Sequence, residues 1–170
     1  MKNTLIALAT AVTLLGGTAA SFAETYTLGD LVIDNPRART TPPGAPVSGG
    51  YMVIHNNGAE ADRLIGGSAE FAGKVEIHEM KMDGDVMKMR EIEGGLEIPP
   101  GGEVMLMPGG FHVMFMQMKR QLQEGQSEKV TLQFQNAGEI EMDFDILNAA
   151  EVKRQMEMNM NHGQMKMNAN

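Results

Sequence analysis

Between Leu28 and Leu147 the chain carries no helical stripe of any length; it is a succession of short alternating or β-branched runs broken by Gly, Pro, Asn and Asp clusters. Candidate strands fall at 28–34, 50–56, 63–68, 74–82, 86–92, 103–107, 111–118, 128–135 and 139–147. Nine short strands with regular turn signals predict an all-β fold, an antiparallel sandwich or barrel. The segment 40–47, with Pro42, Pro43 and Pro46, reads as an extended loop.

What lies outside this region is different. Lys2 precedes an apolar run from Leu5 to Leu15, and Ser21, Phe22 and Ala23 form a small-x-small pattern, so residues 1–23 read as a signal peptide cut before Glu24. The run is shorter than the roughly 20 residues that span a bilayer, so no stable membrane insertion is expected. Export without cysteine means no disulfides, so stability must come from the core of a domain at 24–150. It also excludes a blue-copper electron-transfer site, which needs a thiolate. Loss of Lys2 leaves 13 basic against 22 acidic side chains, a balance that disfavours nucleic acid and anionic lipid as partners. A monomer is expected.

Seventeen methionines accompany only six phenylalanines, two tyrosines and no tryptophan, which ordinary core packing does not call for. Alternate residues of a strand point to opposite faces. In 74–82, Val75 and Ile77 oppose Glu76, His78, Met80 and Met82; in 86–92, Val86 and Ile92 oppose Met87, Met89 and Glu91. In 103–107, Val104 and Leu106 oppose Glu103, Met105 and Met107, and in 111–118, Phe111, Val113 and Phe115 oppose His112, Met114, Met116 and Met118. Methionine used only as gap-filler would mix with the aliphatic residues. For Met105, Met107, Met116 and Met118, packing is the favoured role.

Asp83-Gly84 suits a two-residue type I′ turn, which would set His78 directly opposite Met89 and Met80 opposite Met87. Directly opposed residues have Cβ atoms about 4.5–5.5 Å apart, close enough for two side chains to reach one ion. His112 and Met114 share a face of a third strand after Pro108-Gly109-Gly110. His78, Met89, His112 and Met114 therefore offer two imidazoles and two thioethers, a donor set suited to Cu(I). A thioether carries no proton, so such a site needs only neutral histidines.

These residues resemble the periplasmic PCuAC-type copper chaperones, whose signature is a His, ten residues, a Met, about twenty-one residues, then His-x-Met. Here His78 is followed by ten residues and Met89, then by twenty-two and His112-Val113-Met114. The extra residue falls in loops near Glu93-Gly94-Gly95 or Pro99-Pro100-Gly101-Gly102. The likeness extends to Gly50-Tyr51-Met52-Val53-Ile54, Asp62-Arg63-Leu64 and Met87-Lys88-Met89-Arg90. It implies a cupredoxin-like β-sandwich or barrel in the periplasm that holds one Cu(I) near its surface. It further implies transfer to a copper-accepting protein, an oxidase subunit or thiol-containing assembly factor, in building a respiratory oxidase. Met80 corresponds to an optional methionine near the first His and reads as a substitute or transfer ligand.

The last stretch, 151–170, holds Met156, Met158, Met160, His162, Met165 and Met167 among polar residues, with no Val, Leu or Ile after Val152. It is expected to be disordered, a flexible auxiliary segment collecting Cu(I) or Cu(II). His55, before Asn56-Asn57-Gly58, is expected in a surface or turn role. No nucleophile with a base, paired carboxylates or phosphate loop stands out, so a non-enzymatic carrier is expected. Competing readings are a copper store, a copper enzyme and a structural β-sandwich. An oxygenase using its N-terminal amine would need His where cleavage leaves Glu24.

Overall fold

The computed structural model describes residues 24–167, with side chains described to residue 159; the predicted signal peptide lies outside the described residues. Eleven strands and a C-terminal helix follow in order: β1 (Thr25–Leu28), β2 (Leu31–Arg39), β3 (Val47–Asn56), β4 (Asp62–Ala69), β5 (Lys74–Asp83), β6 (Val86–Glu91), β7 (Leu96–Ile98), β8 (Glu103–Leu106), β9 (Phe111–Met116), β10 (Ser127–Phe134), β11 (Gly138–Leu147) and α1 (Ala149–Met167). The all-β class read from the alternation holds. Two strands escaped that reading because they are short: β1, ended by a turn at Gly29 with φ 58°, and β7, three residues between Gly95 and Pro99.

The sheet closes on itself. Running β4, β10, β11, β2, β3, β9, β5 and back to β4, each strand is hydrogen-bonded to the next. The antiparallel sheet expected from sequence is in fact mixed: β11 runs parallel to β2, and β8 parallel to β9. β2 and β11 are far apart in the chain, a parallel partnership that a hairpin-by-hairpin reading does not anticipate, whereas β8 and β9 meet at the single pair Leu106 with Phe111 across the 107–110 turn. The seam between β4 and β5 is a single pair, Gly67 with Val75. Gly67 also pairs with Leu132 of β10, and a Cβ there would stand 2.3 Å from the Thr131 carbonyl oxygen. Only glycine lets the three backbones approach so closely.

Inside the barrel, Phe115 packs edge-on against Phe71 (centroids 4.9 Å apart) and Phe144 (5.9 Å). Val75 and Ile77 of β5 and Val113 and Phe115 of β9 point into this core, as counting faces predicted. The other face of the same two strands carries Glu76, His78, Met80, His112 and Met114. The central position of β9, flanked by β3 and β5, therefore sets the candidate site against the outer wall of the barrel.

The segment expected to be disordered is helical through Met167. Asn148 caps it, its side-chain oxygen accepting from the Glu151 N–H at 3.0 Å, and the Val152 N–H bonds the Asn148 carbonyl. Val152 and Met156, one turn apart, are both 1% exposed against Tyr51, with Met107 and Leu147 alongside. Arg37 of β2, ion-paired with Asp145 at 3.2 Å, donates to the Gln155 side chain. Composition alone hid this helix, because its two anchoring residues need a partner far away in sequence. Met156 is accordingly a packing residue and not a free auxiliary donor.

Candidate metal centre

β5 lies between β9 and β6, and all three present the same kind of side chain outward. His78 pairs directly with His112, and Glu76 with Met114. On the far side of β9, Met114 pairs with Gly49 of β3. The β5–β6 turn is Gly84-Asp85, not Asp83-Gly84: Gly84 takes φ 64° at the first central position, where a type II′ turn places glycine. The pairing therefore shifts by two residues from the sequence expectation. Met80, not His78, faces Met89, while His78 faces Glu91. A shift of two keeps every side chain on its predicted face, so Met89 still points toward the histidines.

Met80, Met89, His112 and Met114 line one cleft of about 320 Å³, with Tyr51, Arg39 and the Pro108-Gly109 turn among its other walls. His112 and Met114 are nearly buried, as is His78, at 5, 8 and 8% exposure, whereas Met89 is 47% exposed. Tyr51, whose hydroxyl would be 2.5 Å from a Cβ at Gly49, and the Pro108-Gly109 turn wall the cleft, which stays open at Met89.

Each histidine is anchored through one ring nitrogen. The His112 Nδ1–H donates to the Gly110 carbonyl at 3.1 Å, so in the neutral ring Nε2 carries a lone pair. That nitrogen faces the Met89 sulfur at 3.2 Å, and two lone-pair donors converge. Burial, chiefly, holds the His112 pKa below the usual imidazole value, with smaller pushes from His78 and Arg39, which keeps Nε2 unprotonated. The His78 Nε2–H donates to Glu76 at 2.6 Å, so in the neutral ring the lone pair lies on Nδ1. Among the described residues, Nδ1 of His78 is the buried side-chain nitrogen or oxygen with no hydrogen-bond partner. Such an orphan costs about 1–3 kcal/mol unless something binds it.

Sequence reasoning missed Glu76. It is 7% exposed, and Lys74, then His78, hold its carboxyl below the usual glutamate value, so it stays ionised. A carboxylate that fixes a histidine's tautomer while the other nitrogen points away is the arrangement found behind metal-ligating imidazoles. Its signal was present, two residues before His78 and on its face. Tyr51 was missed as well.

Among the described residues no three His, Cys, Asp or Glu side chains gather at one point. Met107 and Met118 pack against hydrophobic clusters, in keeping with the role expected for them. His55 lies 3.2 Å from the carboxylates of both Asp34 and Glu103, a surface ion-pair position. Met158 is 47% exposed on α1, and the side chains of Met160, His162, Met165 and Met167 lie outside those described.

A family model described as "Putative lipoprotein LpqE-like" matches residues 31–146, nearly the whole barrel. The chain belongs to this family. It is 31% identical over 91 residues to a protein of Leifsonia xyli subsp. xyli named "Putative lipoprotein Lxx21020", and spans about half of that protein's length (55%). This LpqE-like chain also superposes on solved PCuAC domains. The copper-bound domain from PmoF2 matches at 26% identity and TM-score 0.63, over 74% of this chain and 98% of that one. The apo domain from PmoF1 matches at 29% identity and TM-score 0.63, over 74% and 99%. The Cu(I) form of DR1885 from Deinococcus radiodurans, at 21% identity and TM-score 0.58 over 74% and 82%, shares the fold. The architecture is thus the cupredoxin-like one of PCuAC domains.

Proposed function

We propose that this chain is an exported Cu(I) carrier that holds one ion between His78, Met89, His112 and Met114 and passes it to a partner protein. The observation that carries this reading is the pair of anchored imidazoles: His112, which lines one cleft with Met80, Met89 and Met114, and His78, paired directly with it across β5 and β9, whose second ring nitrogen is buried without a partner. Two neutral nitrogens and two thioethers suit Cu(I) and bring no negative charge to the site. The likeness to a copper-bound PCuAC domain and to a Cu(I)-bound relative supports the same cargo.

Release follows from exposure. Three donors are buried and Met89 is half exposed, so an incoming ligand meets Met89 first and can take its place while the others still hold the ion. Met80, directly opposite Met89, serves as the substitute donor during exchange. The recipient in this reading is a periplasmic copper-accepting protein, an oxidase subunit or a thiol-bearing assembly factor, and the exposed donor favours carriage over storage. Met158, Met160, His162, Met165 and Met167 on α1 form an auxiliary collecting stretch.

A Cu(I) competition titration against a chromophoric chelator tests the reading, comparing the mature protein with a variant carrying alanine at residues 78, 89, 112 and 114. One tight equivalent lost in the variant supports it. Equal binding by both proteins overturns it.

A further inference from the structure

The β5–β6 hairpin outruns the barrel. Pairing of β5 with β9 ends at Glu79 with Phe111, and beyond it Lys81–Asp83 pair only with β6, whose six residues are all exposed. The two faces of this ribbon differ sharply. One carries charges: Arg90 donates to Glu79 at 2.6 Å, and Lys88 to Asp83 at 2.5 Å. The other carries two stacked methionine pairs, Met80 opposite Met89 and, one rung further out, Met82 opposite Met87. Met82 and Met87 are 55 and 51% exposed.

A two-stranded ribbon in water has no core to fill, so apolar side chains gathered on one of its faces call for another use. Opposed residues stand about 4.5–5.5 Å apart at Cβ and diagonal ones about 7–8 Å, within reach of one another for unbranched side chains. Methionine adds a soft, polarizable sulfur at the end of three rotatable bonds. The inner rung, Met80 and Met89, lines the same cleft as His112 and Met114. The ladder is therefore continuous from the exposed hairpin to the buried donors.

We propose that Met80, Met82 and Met87 form an outer Cu(I) station, a thioether site distinct from the core site and joined to it by Met80 and Met89. This rests on the Cu(I) reading of the cleft. An all-thioether site selects a soft monovalent ion, and no proton or electron moves when one neutral sulfur replaces another. An ion leaving the core site is received by Met80, then by the outer pair, as Met89, Met114, His112 and His78 let go in turn. Met80 lines the core cleft and belongs to the station, so the station accepts the ion without a step through open water.

The test uses the full mature protein with ¹³C-labelled methionine methyls, titrated anaerobically with Cu(I) to two equivalents, beside the variant M82L/M87L, which keeps apolar bulk and removes both sulfurs. The first equivalent shifts the ring signals of His78 and His112, and the second shifts the Met82 and Met87 methyls. The variant keeps the first equivalent at unchanged affinity, loses the second, and delivers Cu(I) to a chelator several-fold more slowly. Unmoved Met82 and Met87 methyls through two equivalents overturn the station, as do wild-type stoichiometry and delivery rate in the variant. Failure of the core reading is distinguishable, because the histidine ring signals would then stay in place at the first equivalent.

Discussion

His112 Nε2 and Met89 Sδ meet at 3.2 Å although they sit on strands that do not pair. β9 and β6 flank β5, so their backbones are separated by two strand spacings, about 9–10 Å, and the two side chains converge over the middle strand. Gly110 holds the arrangement from behind, its carbonyl accepting from both His112 Nδ1–H and the Met80 backbone N–H. A side chain on the edge hairpin and one on a barrel strand are thus brought to one point, the arrangement that the proposed holding and release of an ion would require.

Glu76 acts on the site through His78. Replacing it with leucine removes the acceptor that orients the ring, and loss of such a supporting partner typically costs about 10–100-fold in metal affinity. Cu(I) competition should show a loss of that size for Glu76→Leu. Glu76→Gln, which keeps an acceptor oxygen, should recover most of it. Equal affinities for leucine and glutamine would mean that His78 orientation does not matter.

Much of this was legible in the sequence, and the reasons differ by element. Period-two alternation exposed the faces of β5 and β9, and because a two-residue error in register leaves faces unchanged, Met89 was placed beside the histidines despite a misassigned turn. The parallel pairing of β2 with β11 and the closure at Gly67 were not legible, since both depend on contacts between distant strands. Glu76 looked like an ordinary surface glutamate until the fold buried it. The helix was hidden because Val152 and Met156 mean little without Tyr51.

Gly67→Ala should weaken the barrel where β4 meets β10. The added methyl meets a backbone carbonyl at 2.3 Å, which no rotamer change can relieve, and overpacking of this kind costs about 1–3 kcal/mol or more. Urea denaturation of the apo protein should show a lower midpoint. An unchanged midpoint would show that the close approach of β4 and β10 at Gly67 contributes little.

Met156→Ala should loosen α1 from the barrel. A buried methionine reduced to alanine costs about 2–5 kcal/mol in a full core, and the lower end applies to this small cluster. Helical circular dichroism should fall while the Phe71, Phe115 and Phe144 core keeps its dispersed methyl and ring signals. Retained helicity would show that the helix does not depend on Tyr51.

Acid should fray α1 from its first turn. Hydrogen bonds from Arg154, then Gln155, hold the folded Glu151 pKa below its ordinary value of 4.5. The folded state thus binds this proton less readily than the unfolded one. The contribution is complete above the unfolded pKa and disappears as pH falls through the folded one. Helicity should decline below the ordinary glutamate range, and Glu151→Gln should flatten that part of the curve. Superimposable curves would contradict the assignment.

X-ray absorption at the copper edge, on the one-to-one Cu(I) complex of the mature protein, tests the central claim most directly. The account predicts a monovalent edge with a mixed first shell of two imidazole nitrogens and two sulfurs, losing a nitrogen in His112→Ala and a sulfur in Met114→Leu. A shell of nitrogen and oxygen alone, or one unchanged by both substitutions, would contradict it.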